Sequence, residues 1–352
     1  MFLYFLSSVY TIKIAIPSII NDKNTKNLHI NDKIKNFGKH KIHIDDCVFS
    51  SSFSAIYINS GFQENKKERI SSANTTILIR NTLFETLMLI NTDTMQGGAF
   101  YSTNCQVIFE NCLFSDNYAA FGAACAIISS KVDFIETNFS RNRAEVAAGA
   151  AILSLTTSNF EKCNIKGCWS EEHDGALLMI DSSTWITHTV FLKCFAESSG
   201  CCSSKNSIIV STSSYFTKNR CTVRLSGAAF EMLASNASII NCTFINNIAI
   251  NENHPLSSDI DSIINVSTSC FDTDQTFFQN QTRVFFDSYS LFSTKCYFND
   301  DQVLDFQEKV LVVMNARNSF LSNGFYISLS ILSVVMISVG LLLLKLHRIR
   351  SI

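Results

Sequence analysis

Proline and tryptophan are almost missing from this sequence, with two residues of each among 352. The scarcity of proline excludes a proline-rich linker protein. Charge is also sparse: 16% of the residues are charged and the net charge is −2, so no overall basic field points to nucleic acid. The Walker loop, the serine elbow and the dinucleotide-binding glycine fingerprint are absent as well, and we expect neither those enzyme classes nor a cofactor.

The residues that are abundant suit β-strands. Hydrophobic residues make up 47% of the chain and phenylalanine occurs 29 times, while asparagine, serine, threonine and isoleucine are prominent. β-Branched, aromatic and small hydroxyl side chains favour extended structure. Because 352 residues exceed what one compact core normally uses, we expect a second domain or an elongated repeat.

A repeat occupies residues 97–247. Six glycines, each followed by small or apolar residues, recur at intervals of 24 to 27 residues, and a large apolar residue, the anchor, follows each by about sixteen residues. The glycines are Gly98, Gly122, Gly149, Gly175, Gly200 and Gly227, and the anchors are Phe114, Phe139, Ile165, Phe191, Phe216 and Phe244. A fixed period between 20 and 50 residues indicates a solenoid.

The positions around each anchor also repeat. Two residues before it, the side chain is always cysteine, threonine or serine, and side chains two apart on a strand share one face. Five residues before it stands another mostly apolar position, and this odd spacing predicts a bend or bulge between two short strands. The two sets are Thr82, Cys112, Thr137, Cys163, Thr189, Ser214 and Cys242, and Phe109, Phe134, Phe160, Ile186, Ser211 and Ile239.

Three residues after the anchor, asparagine recurs. It stands at Asn117, Asn142, Asn219 and Asn247, with Cys168 and Cys194 in the two intervening repeats. Asparagine tolerates tight turns, and a stack of its amides can hydrogen-bond between rungs, so these residues are predicted to form a turn ladder. The glycines are predicted to begin a corner at which a side chain would clash or φ must be positive.

The repeating positions predict an all-β fold, a right-handed parallel β-helix of the pectin-lyase-like kind. An apolar segment near the C-terminus adds one C-terminal transmembrane α-helix to this prediction. Coils of about 25 residues would stack at roughly 4.8 Å, and the handedness follows from the rule for parallel crossovers. The Leu-x-x-Leu-x-Leu pattern of leucine-rich repeats and the 3.6-residue periodicity of helical repeats are both absent.

The predicted organisation has five segments. Residues 1–20 are apolar and predict a signal peptide, the alternative being a start inside a domain. Residues 21–46 are a polar leader or cap. Residues 47–322 form the β-helix ectodomain, with regular coils over about 80–250. A transmembrane helix at 325–344 and a short basic tail at 345–352 follow.

The orientation in a membrane follows from the charges beside the apolar segment. Residues 325–344 carry no charge and are long enough to span a lipid bilayer, while Lys345, Arg348 and Arg350 follow directly. Basic residues mark the cytoplasmic end, so we expect a type I single-pass protein at the plasma membrane with its N-terminal bulk extracellular. A buried globular helix and a GPI-anchor signal are the alternatives.

The 13 cysteines all lie between residues 47 and 296. Cys168 and Cys194 hold equivalent turn positions on adjacent coils, where Cα atoms about 4.8 Å apart would allow a disulfide. The alternative is a stack of two buried thiols. Cys163, Cys168 and His173 match a zinc-ligand spacing only loosely, and no metal site is predicted.

Six asparagine glycosylation sequons lie on the side predicted to be lumenal. They are Asn74, Asn138, Asn236, Asn241, Asn265 and Asn280. Asn138 and Asn241 lie one and three residues before inward anchors, so both side chains are expected to point outward.

Carboxylates are not obviously grouped for catalysis. Parallel β-helices that cleave polysaccharides need clustered acids on one face, whereas the acidic pairs here, at 45–46, 171–172 and 300–301, are isolated in the sequence. We therefore expect no enzyme, and a polysaccharide lyase or glycoside hydrolase is the alternative.

The Gly-Gly-Ala-Phe of residues 97–100, combined with Phe-x-x-Asn, resembles the repeat signature of the polymorphic outer membrane proteins. The Phe-x-x-Asn segments are 114–117, 139–142, 216–219 and 244–247, while the coils ending at Cys168 and Cys194 depart from the pattern. The bacterial family ends in a barrel, whereas this chain ends in an apolar segment with basic residues. It is therefore similar to the surface proteins of parabasalid protists such as trichomonads. The resemblance implies surface adhesion or antigenic display.

The sequence thus predicts a cell-surface presentation protein whose partner is a host cell, the extracellular matrix or a glycan, and not nucleic acid. Function is expected in the segments that do not repeat, at 61–72, 169–174 and 250–262.

Overall fold

A computed structural model of the chain describes residues 28–31, 40–45, 48–50, 56–59, 75–89, 96–223, 226–250, 252–278, 283–294 and 296. Within these residues the predicted fold class is confirmed: the chain is an all-β, right-handed parallel β-helix. Four parallel sheets, which we call A, B, C and D in the order in which each turn visits them, form the sides of the solenoid.

Each regular turn contributes one strand to each sheet, while the turns at the two ends contribute to fewer sheets. Sheet A contains Leu28–Asn31, Ile56–Asn59, Phe100–Thr103, Cys125–Ile128, Ala151–Ser154, Leu177–Ile180, Cys202–Lys205, Phe230–Leu233 and Leu256–Ser258. Sheet B contains His40–Asp45, Thr75–Arg80, Gln106–Glu110, Lys131–Ile135, Thr157–Glu161, Ser183–Thr187, Ile208–Thr212, Asn236–Ile240, Ile263–Ser267 and Val284–Phe286.

The other two sheets complete the turn. Sheet C contains Val48–Ser50, Leu83–Glu85, Leu113–Ser115, Asn138–Ser140, Asn164–Lys166, Val190–Leu192, Tyr215–Thr217, Thr243–Ile245, Cys270–Phe271 and Leu291–Phe292. Sheet D contains Tyr118–Phe121, Arg143–Ala147, Trp169–Ser170, Phe195–Ala196, Arg220–Cys221, Ile248–Ala249 and Glu252–Asn253. The last strand of sheet D pairs antiparallel, and a 3₁₀ helix spans Gln275–Phe278.

The first strands of sheets A and B lie inside the segment predicted to be a leader or cap. Leu28–Asn31 pairs with Ile56–Asn59, and His40–Asp45 pairs with Thr75–Arg80. The solenoid therefore begins before residue 47.

The strands stay in register because equivalent side chains stack in the interior. The anchors are fully buried, and rings one turn apart lie nearly parallel: Phe114 and Phe139 have centroids 5.1 Å apart, and Phe216 and Phe244 have centroids 5.0 Å apart. A second column on sheet B does the same, with 4.7 Å between Phe134 and Phe160. These rings are among the largest fully buried side chains, and their burial stabilises the interior.

Each of the four corners contains a residue in the left-handed region. Between sheets B and C these residues are Asn111, Glu136, Lys162, His188, Ser213 and Asn241, with φ between 49° and 52°. This single residue produces the odd spacing that predicted a bend. The next residue turns inward, which is why it is always short and carries a donor.

The short inward residue satisfies the backbone at the corner. Thr189 Oγ1 donates to the carbonyl oxygens of Thr187 and Phe160 and accepts from the backbone N–H of Cys163. Cys163 Sγ makes the same two kinds of contact, at 3.3 Å to Phe134 O and 3.5 Å to Glu161 O. Burial raises the pKa of the Cys163 thiol to about 12, so it remains a neutral donor.

The asparagines form the corresponding ladder between sheets C and D. Asn117 Nδ2 donates to Asn142 Oδ1 at 2.9 Å, and Asn142 Nδ2 donates to Phe114 O at 3.0 Å. The left-handed residue is the one before each asparagine, for example Asp116 or Arg141. The asparagines are therefore buried links between rungs, and their neighbours make the turn.

The six glycines of the repeat occupy two neighbouring positions at the corner between sheets D and A. Gly97 and Gly122 have positive φ, of 72° and 57°. At Gly149 and Gly175 a Cβ would instead lie 2.6 Å and 2.2 Å from the carbonyl oxygen of the equivalent glycine one turn on. A Cβ at Gly122 would also lie 2.3 Å from Cys125 O, so the clash expected for a glycine is present at both positions and positive φ is present at the first of them.

No described residue belongs to a helix that is long and apolar enough to cross a membrane. The segment predicted to do so, 325–344, lies outside the described residues, as do 1–20 and the basic residues Lys345, Arg348 and Arg350.

The glycine geometry predicts unequal costs for two alanine substitutions. Gly175→Ala would place its Cβ 2.2 Å from Gly200 O, and we expect a loss of about 3 kcal/mol of stability. Gly167→Ala is the control, because the nearest atom there is Arg141 Cγ at 3.8 Å and the cost is that of φ alone, about 1 kcal/mol. Urea unfolding measures both, and equal losses would contradict the assignment.

Candidate functional site

An open cavity of about 500 Å³ lies where the corner between sheets C and D meets sheet D. It is lined by Lys193, Cys194, Phe195, Lys218, Arg220, Asn246 and Ile248. These residues come from three consecutive turns, and we call their cavity the basic pocket.

The corner geometry directs these side chains outward. Lys193 and Lys218 are the left-handed residues of consecutive turns, with φ of 56° and 57°, and the inward direction is taken by the next residue. Phe195 and Arg220 are register partners on sheet D. Phe195 is 38% exposed, so an aromatic surface borders the three cations.

The cations of the pocket are not neutralised. Within the described residues, no carboxylate lies within 4.0 Å of Lys193, Lys218 or Arg220. Elsewhere on the same corner, Arg141 contacts Asp116 of the preceding turn at 2.6 Å. Within the part of the chain that the structure describes, the pocket therefore gathers three cations without an ion-pair partner.

Two of the pocket's cations stack on each other, unlike the opposite charges at another corner. Like charges on adjacent rungs repel, and other corners stack opposite charges, as Lys162 does on Glu136 at 3.8 Å. Lys193 stacks on Lys218 instead. Burial, together with the charges of Lys193 and Arg141, lowers the pKa of Lys166 on the neighbouring turn. We call Arg141, Lys166, Lys193, Lys218 and Arg220 the basic stripe.

A row of aromatic and cationic side chains runs along sheet D beside the stripe. Its register partners are Tyr118, Arg143, Trp169, Phe195 and Arg220. The Arg143 guanidinium lies 4.2 Å from the Trp169 ring centroid and forms a 2.6 Å ion pair with Glu171. Arg143 and one face of Trp169 are thus already engaged, whereas Phe195 and Arg220 are available.

Carboxylates border this row on its other side. Glu145, Glu171 and Glu197 are exposed, each two residues beyond the aromatic and cationic row. Tyr118 donates its hydroxyl to Glu145, and this hydrogen bond raises the pKa of Tyr118 to about 12. The acidic row confines the attraction for anions to the corner side of sheet D.

Two carboxylates that are far apart in the sequence, Asp174 and Glu231, lie near enough at the corner between sheets D and A to interact electrostatically. Asp174 is 3% exposed, and burial together with the charge of Glu231 raises its pKa to about 8, although the Ser203 hydroxyl lowers it in part. Glu231 Oε2 accepts hydrogen bonds from Ser226 at 2.9 Å and Ser198 at 3.2 Å. Asp174, whose pKa is raised, is therefore covered, whereas Glu231 is partly exposed.

The predicted disulfide between Cys168 and Cys194 is not formed. Both are buried free thiols, and the sulfur of each donates to a backbone carbonyl, Cys168 to Lys166 O and Cys194 to Ile165 O. A parallel stack holds the two Cβ–S bonds side by side at one strand spacing, whereas a disulfide needs Cβ atoms about 3.8 Å apart. This matches the alternative of a thiol stack.

A disulfide joins Cys270 to Cys296 instead, with a Cα–Cα distance of 5.8 Å. No group of three or more cysteine, histidine or acidic residues in the described ranges could hold a metal ion. The loose pattern of Cys163, Cys168 and His173 is therefore not brought together as a site.

The sequons differ in accessibility. Asn236, Asn241 and Asn265 are exposed, but Asn138 is 5% exposed and its Oδ1 accepts a hydrogen bond from Asn164 Nδ2. Asn138 does face away from the anchor Phe139, yet the outer side of sheet C is covered at this level, as the burial of Leu113 also shows. Asn74 and Asn280 lie outside the described residues.

Sequence reasoning expected function in three segments that do not repeat. Residues 61–72 lie outside the described ranges, 169–174 contain Trp169 and Asp174, and 250–262 border the end of sheet D. The basic pocket was missed because it lies on repeating positions. The lysines two residues after Phe191 and Phe216 were the signal that could have found it.

Glycosylation of the full-length protein in a secretory host is predicted to follow exposure. We expect glycans at Asn236, Asn241 and Asn265 and none at Asn138, because a transferase needs an accessible amide. Peptide mass spectrometry after deglycosylation in heavy-oxygen water maps the sites. A glycan at Asn138 would contradict the covered position.

Asp174 predicts a pH dependence of stability. Its pKa is raised from 3.8 to about 8, so the folded chain retains a proton that the unfolded chain releases between these values. Stability from this group therefore falls as pH rises from 4 to 8 and then levels off. Asp174→Asn should raise the thermal midpoint over wild type by more at pH 8 than at pH 5.

Asp181→Asn is the matched control, since Asp181 is also a left-handed corner residue but is exposed. Its difference from wild type should stay nearly constant between the two pH values. If the difference in thermal midpoint from wild type changed with pH to the same extent in both variants, the raised pKa of Asp174 would be refuted.

Comparison with known proteins identifies no family and only a distant structural similarity. No protein-family model and no curated protein matches the chain. A solved structure similar to it is the crystal structure of tailspike protein 3 of bacteriophage CBA120, with 12% sequence identity and a TM-score of 0.20. The match covers 71% of this chain and 50% of the tailspike chain, so this chain spans about half of that protein's length. The β-helix is established by its own strand pairing.

Proposed function

We propose that the chain is a non-catalytic cell-surface recognition protein that binds an anionic partner through the basic pocket. The observation on which this proposal depends is a set of three cations, without an ion-pair partner among the described residues, around an exposed Phe195 in one open cavity. Stacking Lys193 on Lys218 costs repulsion that a bound anion relieves. The rigid ladder below holds these groups at fixed separations, which reduces the entropy lost on binding.

The surface location rests on the sequence. An uncharged segment at 325–344 followed by Lys345, Arg348 and Arg350 supports a single pass through the lipid bilayer with the solenoid outside. The resemblance to the surface proteins of parabasalid protists supports a role in adhesion or antigenic display. A host cell, the matrix or a glycan would then be the partner.

A carbohydrate-cleaving β-helix enzyme is the rival proposal, and it needs an acid that substrate can reach. The carboxyl pair formed by Asp174 and Glu231 has its raised-pKa member buried. The inward repeating positions are occupied by groups that hold the rungs together. Recognition without turnover is therefore the function that these residues support better.

Removing two charges from the pocket tests the proposal. For the full-length protein in lipid nanodiscs, Lys193→Gln combined with Lys218→Gln should weaken binding to immobilised extracellular matrix by about tenfold or more. Each charge-assisted hydrogen bond contributes about 1.5–3 kcal/mol, and tenfold corresponds to about 1.4 kcal/mol. Higher salt should weaken wild-type binding in the same direction.

Lys162→Gln is the matched control, because Lys162 is a left-handed corner lysine of another corner and already contacts Glu136. It should bind as wild type does. Undiminished binding by the double variant would exclude the pocket, and a cytoplasmic position of the solenoid in surface labelling of intact cells would exclude the surface role.

A further inference from the structure

Four consecutive strands of sheet B present an outer face without charge. In each strand the second and fourth residues are buried, and the first, third and fifth face outward. None of these outward residues is acidic or basic in the four strands, which are Ser183–Thr187, Ile208–Thr212, Asn236–Ile240 and Ile263–Ser267. The three preceding strands differ, because each presents at least one outward charge: Glu110, Lys131, Asp133 and Glu161.

Large apolar side chains occupy part of this uncharged face and of the strand that follows it. They are Trp185, Ile208, Val210, Ile240, Ile263 and Phe285, which we call the apolar patch. Trp185 is the register partner of Val210, and Ile208 lies two residues before Val210 on the same face, so these three are adjacent. Trp185, Ile208, Ile240 and Phe285 are between 36% and 55% exposed. Contiguous exposed apolar surface promotes association with other chains unless something covers it.

Two exposed glycosylation sequons lie inside the apolar patch. Asn236 is the register partner of both Ile208 and Ile263, one on each neighbouring strand. Asn265 is the register partner of Phe285. A group attached to either asparagine therefore starts between apolar side chains.

The third exposed sequon lies at the border of the same face. Asn241 is the left-handed corner residue directly after Ile240. Its Nδ2 donates one hydrogen to Ser213 Oγ at 3.0 Å, which leaves the second amide hydrogen for substitution. Each exposed sequon of the described chain thus adjoins an exposed apolar side chain, whereas the buried Asn138 lies on sheet C, away from the patch.

We propose that N-linked glycans at Asn236, Asn241 and Asn265 cover the apolar patch and prevent the chains from associating through sheet B. The inference rests on the extracellular location in the proposed function, because N-glycans are added to chains that enter the secretory pathway. The donor is a lipid-pyrophosphate-linked oligosaccharide. In each transfer a bond forms between asparagine Nδ2 and C1 of the oligosaccharide, the bond between C1 and the pyrophosphate oxygen breaks, and the amide loses one proton.

The register brings the first sugars of each glycan against the patch. Neighbouring rungs lie about 4.8 Å apart, so a sugar on Asn236 is within one rung of Ile208 and Ile263. Packing the C–H face of a sugar on these side chains removes apolar area from water. A second copy of the chain is a less suitable cover, since the attachment points lie inside the face that it would have to contact. Within the described residues, no exposed sequon lies on sheet D, so the basic pocket stays open.

Hydroxyl-radical footprinting of the full-length protein, made in a secretory host and placed in nanodiscs, measures this cover. Wild type is compared with a triple variant, Ser238→Ala, Thr243→Ala and Ser267→Ala, which loses the sequons and keeps the asparagines. Oxidation at Ile208 and Phe285 should rise by about threefold or more in the variant, because a sugar that packs on them takes away accessible area. Enzymatic removal of the glycans from folded wild type should have the same effect.

Two exposed residues outside sheet B are the controls. Leu155, at a corner two turns before Ile208, and Phe195, in the basic pocket, should be oxidised equally with and without glycans. A change at either would report altered folding of the triple variant, and the enzymatically treated wild type then decides.

Light scattering measures the association. The triple variant should form dimers or larger assemblies at concentrations at which glycosylated wild type remains monomeric. Adding Ile208→Thr and Phe285→Thr to the triple variant should restore the monomer. Adding Leu233→Thr, which changes an exposed apolar residue of sheet A, should not.

Three results would overturn the inference: the absence of glycans at these asparagines on the secreted chain, equal oxidation of Ile208 and Phe285 with and without glycans, and a glycan-free chain that stays monomeric. None of them affects binding through Lys193 and Lys218. Loss of that lysine-dependent binding with a protected patch would instead overturn the role of the basic pocket alone. A cytoplasmic solenoid in intact cells would overturn both proposals.

Discussion

In-register hydrogen bonding between successive turns is the constraint on which the rest of this structure depends. Each strand pairs with its own copy one turn away, so every side chain stands over an equivalent one. A position is acceptable only if its residue tolerates this neighbour. Phenylalanine stacks on phenylalanine, asparagine hydrogen-bonds to asparagine, and several exposed cations contact a carboxylate of a neighbouring turn. The lysine pair of the basic pocket has no such carboxylate partner among the described residues, and this is the reason for proposing it as a binding surface.

The same constraint separates the inside of the solenoid from the outside. Inward residues at the corners must be short and must satisfy backbone groups, so cysteine, threonine and serine replace one another there with little change in contacts. Buried cysteines such as Cys163 therefore act as hydrogen-bond donors, and burial keeps the pKa of their thiols high. Outward corner residues have no such requirement, and their side chains are free to carry charge.

Much of the fold could be predicted because the period of the repeat is visible in the sequence. The anchors, the small inward residues and the asparagines all recur at constant offsets, and their parity predicts a corner between sheets B and C. Other features depend on what lies across a turn. The burial of Asn138 and the meeting of Asp174 with Glu231 involve residues from neighbouring turns or covered faces. The directions of the Cβ–S bonds of Cys168 and Cys194 likewise depend on the backbone orientation, which cannot be derived from the spacing of the two residues in the sequence.

At the corner between sheets C and D, successive turns have very different side chains on the same backbone conformation. Asp116, Arg141, Gly167, Lys193, Lys218 and Asn246 all adopt the same left-handed conformation there, with φ between 53° and 60°. The outward residue can thus change from acid to base to nothing while the buried asparagine or cysteine beside it keeps the rungs joined. A substitution at this outward position therefore changes the surface of one turn and leaves the backbone of the corner unchanged. A solenoid of this kind can acquire a new partner rung by rung without rebuilding its interior.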